Sequence, residues 1–356
     1  MYVNYMKFLS LNEFLSLFQA PIHSYKDAKV RVGDHLVDLK SRKIPIADIR
    51  LLYENILKRN EYLTRFYNLS LLPQPLSMKE PMKIMNNNEE TKYKNIIRNI
   101  YYQEILQNTK SGIENNPTYM DVLYDLYVNN IIDYKILTPS ARFYMKEGRL
   151  GSVFSSYYFR ASILNPYLVY SLNKTILHGN RVFTPTLGWS SYCYGFLESG
   201  VTEYVGTDVI PKVCKKTKEF AKYYNRQVEI FCSPSEKLPI SFINKYKNHF
   251  DVIFFSPPYY RLELYEGTNQ STTKYSSYEE WLEKYWEKTI EICKKVMVQG
   301  GKLCYIISDY ENHNLIRDMN KITKKYFTLK KTMNMYNKNI DVTTHRETNE
   351  KIFIFV

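Results

Sequence analysis

Residues from about 138 to the end predict an α/β fold, a mainly parallel sheet covered by helices on both faces, preceded by a mainly helical domain over residues 1–137. Three observations carry this reading. Short apolar runs of strand length alternate with stretches of helical spacing through the second half of the chain. The first ~135 residues instead repeat apolar residues at three- and four-residue steps, with Pro and Asn clusters between them. Finally, 44% of the 356 residues are hydrophobic, ample for a packed core.

In the first region, Asp48–Asn68, Glu90–Gln107 and Tyr119–Ile132 read as helices. They are separated by Pro73, Pro75, Pro81, the Asn86-Asn87-Asn88 run and Asn115-Asn116-Pro117. Beyond the aromatic stretch Phe154–Phe159, a helix is expected from Asn165-Pro166 to Ile176. Strands are then expected at Arg181–Pro185, Glu203–Thr207, Val228–Cys232, Asp251–Phe255 and Lys302–Ile307, and two closing strands at Phe327–Asn334 and Lys351–Val356. The helices between them are Ser191–Ser199, Pro211–Tyr224, Tyr278–Val298 and His313–Tyr326. In such a sheet ligands bind beyond the carboxyl ends of the strands, so the chemistry is sought there.

The charge balance is 49 Lys+Arg against 36 Asp+Glu, or +13, spread over both halves of the chain. A basic surface favours a polyanionic partner, because phosphates release counterions on binding. The densest run is Lys321, Lys324, Lys325, Lys330, Lys331 and Lys338, with no carboxylate between Met319 and Ile340. It reads equally as a solvated helix end and strand edge or as a phosphate-contacting rim. Five cysteines without a CxxC pair and six scattered histidines signal neither a metal site nor a disulfide framework, which suits an intracellular, reducing compartment. No apolar run approaches membrane-span length and no signal peptide is apparent, so the expected localisation is not secretion.

The sharpest chemical signal is Asp251-Val-Ile-Phe-Phe-Ser256-Pro257-Pro258-Tyr259-Tyr260. A buried strand runs straight into a polar residue, two prolines and an aromatic. Proline fixes φ and lacks an N–H, so the doublet makes a rigid loop with carbonyls able to accept hydrogen bonds. An exocyclic amine is a poor nucleophile because its lone pair is delocalised into the ring. Acceptors against its two N–H bonds, Ser256 Oγ and the Pro257 carbonyl, localise that lone pair, and Tyr259 offers a stacking face.

Ser256-Pro257-Pro258-Tyr259 resembles the catalytic motif of the DNA amino-methyltransferases, which act on cytosine N4 or adenine N6. The resemblance extends over about residues 140–356, through Leu262-Glu263-x-Tyr265, Gln270-Ser271, Tyr278-Glu-Glu-Trp281 and Gly300-Gly301-Lys302, which look like phage-type members. It implies a class I, Rossmann-like, seven-stranded sheet over 138–356 and S-adenosylmethionine as cofactor. It also implies a nucleic-acid partner, most naturally double-stranded DNA, and no membrane or metal. The family's cofactor strand ends in Asp-Pro-x-x-Gly, often followed by Gly-Trp-Gly-Gly. Here Thr184-Pro185-Thr186-Leu187-Gly188-Trp189-Ser190-Ser191 keeps Pro185, Gly188 and Trp189 but has Thr184 for the acidic residue and serines for two glycines. That departure predicts reduced or lost affinity for the cofactor.

By the same resemblance Asp208, with Val209 beside it, faces the ribose hydroxyls, a role compatible with an N-cap before Pro211. Ser235-Glu236 would sit beside the adenine. Arg160, within Phe159-Arg160-Ala-Ser-Ile-Leu-Asn165-Pro166-Tyr167, would reach the methionine carboxylate. Tyr260, Glu263, Lys330 and Lys331 would contact the substrate. The motif order leaves target recognition to residues 1–135, the 260–275 loop or the 336–349 hairpin. Two alternatives stand beside this reading: a catalytically silent nucleic-acid-binding subunit of an active methyltransferase, and an amino-methyltransferase acting on RNA or protein. A homodimer or a partner subunit is compatible with either.

Overall fold

The computed structural model describes residues 74–101, 161–338 (apart from 266 and 268) and 345–356, with isolated pieces of the first 146 residues. Backbone contacts divide the chain into two units. One comprises Met1–Leu71 and Tyr102–Ala161, the other Leu72–Tyr101 and Ser162–Val356. The division thus differs from a single boundary at 137/138, because Leu72–Tyr101 belongs with the α/β unit. In the first unit Lys29–Val32 and His35–Asp38 pair as an antiparallel hairpin, Val32 opposite His35. Helical spacing does not predict it; only two residues, Gly33-Asp34, separate the strands, the length and composition of a tight hairpin loop. The helix expected over Tyr119–Ile132, and most of Asp48–Asn68, lies outside the described residues.

The α/β unit begins with helix α1 (Thr91–Ile100), which buries Tyr93, Ile96, Ile97 and Ile100. Helix α2 (Pro166–Leu172) follows. Asn165 caps it by accepting from the Tyr167 N–H at 3.0 Å, and Pro166 occupies its first turn, so the Asn-Pro pair starts a helix. The sheet then forms from β1 (Arg181–Thr184), β2 (Glu203–Asp208), β3 (Gln227–Cys232), β4 (Phe250–Phe255), β5 (Met297–Ile307), β6 (Leu329–Lys338) and β7 (His345–Phe355). Between them lie α3 (Ser191–Ser199), α4 (Pro211–Ala221), α5 (Ile240–Lys245), the short α6 (Ser271–Lys274), α7 (Tyr278–Trp281), α8 (Lys288–Val296) and α9 (Leu315–Thr323). A π-turn, Leu282–Glu287, joins α7 to α8.

The seven strands lie in the order β6-β7-β5-β4-β1-β2-β3. β1 runs parallel to β2 and β4, β2 to β3, and β4 to β5, while β7 is antiparallel to both β5 and β6. This is the order and direction of the class I, Rossmann-like methyltransferase sheet. Its central strands are apolar because both faces are covered: Phe183, Val205, Ile253, Phe254, Phe255 and Tyr305 are fully buried. The strand order reverses between β1 and β4, so the crevice of the fold opens where those two strands end.

Segment 74–90, rich in sequence breakers, wraps the helical face of this sheet through side chain to backbone bonds. The Tyr194 hydroxyl bonds the Leu76 backbone (2.7 Å from its N–H), Ser171 Oγ accepts from the Met82 N–H at 2.9 Å, and Asn87 Oδ1 accepts from the Asn165 N–H at 2.7 Å. Its far end pairs with β6, where Tyr336 donates to the Met85 carbonyl. Lys302, the first residue of the strand expected over Lys302–Ile307, lies inside the longer β5. Its ammonium caps the carboxyl end of the π-turn after α2, donating to Ile176 and Leu177 carbonyls at 2.8 and 2.9 Å.

Candidate active site

The loop Ser256–Tyr259 leaves the end of β4, and the loop 185–190 leaves the end of β1 beside it. The register Val182↔Val252 and Phe183↔Ile253 brings Thr186 level with Ser256, and Thr186 Oγ1 donates to the Ser256 carbonyl at 3.5 Å. Ser256 Oγ donates to the Ile306 carbonyl at 3.1 Å. With its proton committed there, the oxygen has only lone pairs to offer a ligand, so Ser256 is built as an acceptor. Tyr259 is fixed from behind. Its hydroxyl accepts from the Ser308 N–H at 2.7 Å, and its ring stacks on Tyr310 with centroids 5.7 Å apart and planes 17° off parallel. Burial pushes the Tyr259 phenol above its ordinary range. Tyr310 also donates to the Tyr260 carbonyl.

Tyr260 and Glu263 serve this loop from inside. Tyr260 is buried and donates to the Ser276 carbonyl at 3.1 Å. Glu263 is buried too, accepting from the Ser162 N–H at 3.0 Å and from the Tyr265 hydroxyl, and burial raises its carboxyl above the usual range. Tyr265 in turn meets Trp189 edge-on at 5.4 Å.

The cofactor loop departs from the family pattern, and the departures at Thr184 and Ser190 are absorbed locally. Thr184 is wholly buried with its hydroxyl 2.6 Å from that of Tyr204, a position where an ionised carboxylate would be desolvated. The Pro185 carbonyl accepts from Thr207 Oγ1 at 2.8 Å. Gly188, Trp189 and Ser190 take φ of 51°, 56° and 66°, three left-handed residues in succession. Gly188 is obligatory twice over, because an added Cβ would fall 2.2 Å from the Tyr192 ring. Trp189 packs between Tyr101 (5.6 Å) and Tyr265. Ser190 turns its hydroxyl into the protein, 2.5 Å from Tyr101 OH and 2.6 Å from Thr217 Oγ1, so it adds no atom at the crevice.

Asp208, ending β2, accepts from the Leu187 N–H at 3.2 Å and the Ile210 N–H at 3.0 Å. It therefore braces the cofactor loop as well as the turn through Val209 that starts α4. Burial raises its carboxyl, with these backbone bonds opposing. Ser235 Oγ lies 3.3 Å from Thr289 Oγ1, and Glu236 accepts from Lys274 Nζ at 3.1 Å and Tyr275 OH at 3.0 Å. Lys274 and Tyr275 follow the catalytic loop in sequence, so Glu236 ties the β3 end to that segment.

Lys330 and Lys331 are not brought to this crevice. Lys331 pairs with Ile354, which pairs with Cys304, which pairs with Phe254. The lysine thus stands on the exposed edge strand, level with Phe254 near the carboxyl end of β4 but three strand spacings away, about 14 Å. Lys325 of the same run is engaged by Glu287 at 2.8 Å. Arg160 lies outside the described residues. Sequence reasoning misses Tyr192, which bonds Ser256, and Tyr285, whose hydroxyl is buried without a partner. Tyr192 directly follows the cofactor motif, and spacing marks it only as part of a helix. Tyr285 sits in the π-turn, whose extra residue shifts its side chain from the face that α-helical spacing assigns.

Among the described residues no helix is long and apolar enough to cross a membrane, and no group of three or more His, Cys, Asp or Glu is placed to hold a metal ion. Residues 250–356 match the family model described as DNA methylase. No curated protein matches the chain. Solved structures similar to it include a methyltransferase from Pyrococcus furiosus, 20% identical, covering 54% of this chain and 82% of that one with a TM-score of 0.37. Another is a putative RNA methyltransferase from Pyrococcus horikoshii, 11% identical, with coverages of 53% and 81% and a TM-score of 0.36. A third is the N-methyltransferase NodS from Bradyrhizobium japonicum in complex with S-adenosyl-l-homocysteine, 11% identical, with coverages of 53% and 82% and a TM-score of 0.36. The matched residues run from the strand that delivers Ser256-Pro257-Pro258-Tyr259 to the last strand of the sheet, and over that stretch the chain is similar to the DNA methylase family.

Proposed function

We propose that this chain is an S-adenosylmethionine-dependent methyltransferase that methylates an exocyclic amino group of a base in DNA, cytosine N4 or adenine N6. The observation that carries the reading is the hydrogen bond from Ser256 Oγ to the Ile306 carbonyl. It leaves the oxygen able only to accept, which is what an amino group being made nucleophilic requires.

The residues at the crevice fit the cofactor. Ser191, the first residue of α3, and Tyr285 bury hydroxyls that have no hydrogen-bond partner. Burial raises the Tyr285 phenol above its ordinary range, and the Glu236 and Asp208 carboxylates raise it further. A buried unsatisfied hydroxyl costs about 1–3 kcal/mol, and a ligand bearing hydroxyls, an amine and a carboxylate relieves it. Asp208 would take the ribose hydroxyls, Glu236 with Ser235 would flank the adenine, and loop 185–191 would run beside the methionine moiety. When bound, S-adenosylmethionine supplies a methyl group on a positively charged sulfur.

Ser256 Oγ and the Pro257 carbonyl then accept from the two N–H bonds of the target amine. This localises its lone pair toward the methyl carbon; the nitrogen gains the methyl group and releases one proton to solvent. Tyr259 holds the base by its ring, and because that ring is stacked on Tyr310 and anchored at Ser308 it needs no reorganisation on binding. A base reaching this loop must leave a duplex stack, at a cost of a few kcal/mol.

The test is mass spectrometry of nucleosides after incubating the chain with S-adenosylmethionine and DNA, RNA or protein. The expected product is N4-methylcytosine or N6-methyladenine in DNA. Methylation confined to RNA or protein moves the substrate class. Cofactor binding by calorimetry without any methylation makes the chain a silent subunit.

A further inference from the structure

Ser256 stands one residue past the last residue of β4 and is followed by two prolines, so its backbone N–H and carbonyl have left the sheet ladder. Such groups need partners, and neither proline can donate to the loop. Both partners come from one side chain. The Tyr192 hydroxyl accepts from the Ser256 N–H at 3.1 Å and donates to the Ser256 carbonyl at 3.3 Å. Tyr192 stands just past the other loop, 185–190. It is the second residue of α3, its ring fills the space that Gly188 leaves open, and it rests edge-on against Phe254 at 5.1 Å. The residue is 2% exposed, and burial drives its phenol above the ordinary range, so the proton it donates is held.

Building on the function proposed above, we infer that Tyr192 is a positioning residue for methyl transfer. One rigid ring, braced against the cofactor loop at Gly188, holds both backbone groups of Ser256 and so fixes the distance between the methyl donor and the atoms that accept the target amine. Thr186 Oγ1 adds a weaker hold on the same carbonyl from the same loop. In a transfer that depends on alignment, a misplacement of about 1 Å costs about 10²-fold. A tyrosine here couples the two loops; a phenylalanine would fill the same volume and leave them uncoupled.

The experiment compares wild type, Tyr192→Phe, Thr186→Val, Ser256→Ala and the Tyr192→Phe/Ser256→Ala double variant on methylatable DNA. Single-turnover rate, S-adenosylmethionine Kd by calorimetry, DNA Kd and melting temperature are measured for each. Tyr192→Phe is expected to lose tenfold to a hundredfold in single-turnover rate with both Kd values within twofold of wild type. Thr186→Val should lose less, in the same parameter. Because Tyr192 acts through Ser256, the double variant should be no slower than Ser256→Ala. A Tyr192→Phe chain with wild-type rate overturns the inference. So does one whose cofactor affinity falls as far as its rate, or a double variant whose losses multiply. A wild type that methylates nothing overturns the proposed function and takes this inference with it, whereas with an active wild type each of these outcomes bears on Tyr192 alone.

Discussion

The loops after β1 and β4 face each other across the crevice but obey different rules. The catalytic loop keeps its family residues and relies on outside support: Ile306 and Ser308 from β5 and its following turn, Tyr310 behind the ring, and Tyr192 from just past the opposite loop. The cofactor loop departs from its family residues and relies on internal substitutes. Thr184 meets Tyr204, Ser190 meets Tyr101 and Thr217, and Trp189 fills the gap between Tyr101 and Tyr265. A motif whose side-chain atoms touch the reacting group has little freedom to vary. One that works through backbone shape varies where the neighbouring side chains absorb the change.

The largest expected effect tests the first half of that contrast. Ser256→Ala removes a preorganised acceptor and should lower methyl-transfer turnover by about 10²–10³, with S-adenosylmethionine affinity kept. Steady-state kinetics beside calorimetry reads this; a variant that turns over normally removes Ser256 from the chemistry. Tyr259→Ala should cost about 1–3 kcal/mol, shared between base capture and transfer. A loss confined to melting temperature would show that ring to be packing against Tyr310 only.

The second half is tested at Asp208. Its carboxylate accepts from Leu187 and Ile210, so Asp208→Ala should weaken S-adenosylmethionine binding at least tenfold and also loosen the loop. The pH dependence has a definite sign. Burial raises this carboxyl, so it takes up its proton at a pH above the ordinary carboxylate range. Cofactor affinity should therefore fall as pH falls, and earlier than an exposed aspartate would allow. An affinity flat from pH 8 down to pH 4 would show that the ribose is not held by an ionised Asp208.

Most of the α/β unit is legible in the sequence because alternation is a local signal: strands and helices from Arg181 onward fall near where spacing and breakers put them, although β5 starts at Met297, inside the helix expected to run to Val298, and β7 starts at His345 ahead of the expected Lys351. Helices α5 and α6 are not, because six and four residues give less than two turns of periodicity. Leu72–Tyr101 reads as part of the helical region because its true attachments, Tyr194 to Leu76 and Ser171 to Met82, span 118 and 89 residues and leave no local pattern. In the site, the tetrad is legible from residue type alone. Tyr192 is not, since what matters is where a phenol ends after crossing a glycine, and spacing is silent on that. The serines of the cofactor loop look like a defect in the sequence. Ser190 turns inward to Tyr101 and Thr217, and only the fold shows it.

Ser190→Gly sharpens the same point at smaller scale. Glycine relieves a left-handed residue worth about 1–2 kcal/mol, but it strips a partner from Tyr101 and Thr217. These opposed terms should leave the melting temperature within a few degrees and cofactor affinity unchanged. A large gain in affinity would mean that the serine does intrude on the crevice.

The smallest effect is expected at Glu350, on β7 one residue before its ladder to β5 begins. Its carboxyl is raised chiefly by burial and further by Glu263, with Lys94 opposing. In the unfolded chain it titrates near 4.5, whereas in the fold it holds its proton to higher pH. The folded state therefore binds more protons between those two values, and the stability this group contributes is present below pH 4.5 and lost as pH rises through the folded value. At neutral pH a half-buried, incompletely compensated charge is left. Glutamine keeps the shape without the charge, so Glu350→Gln should melt higher than wild type at pH 7–8, with the gap closing as pH approaches 4.5. Melting curves across that range decide it. A variant that melts lower at neutral pH would show that Lys94 outweighs burial, and that this carboxylate is held as an ion pair.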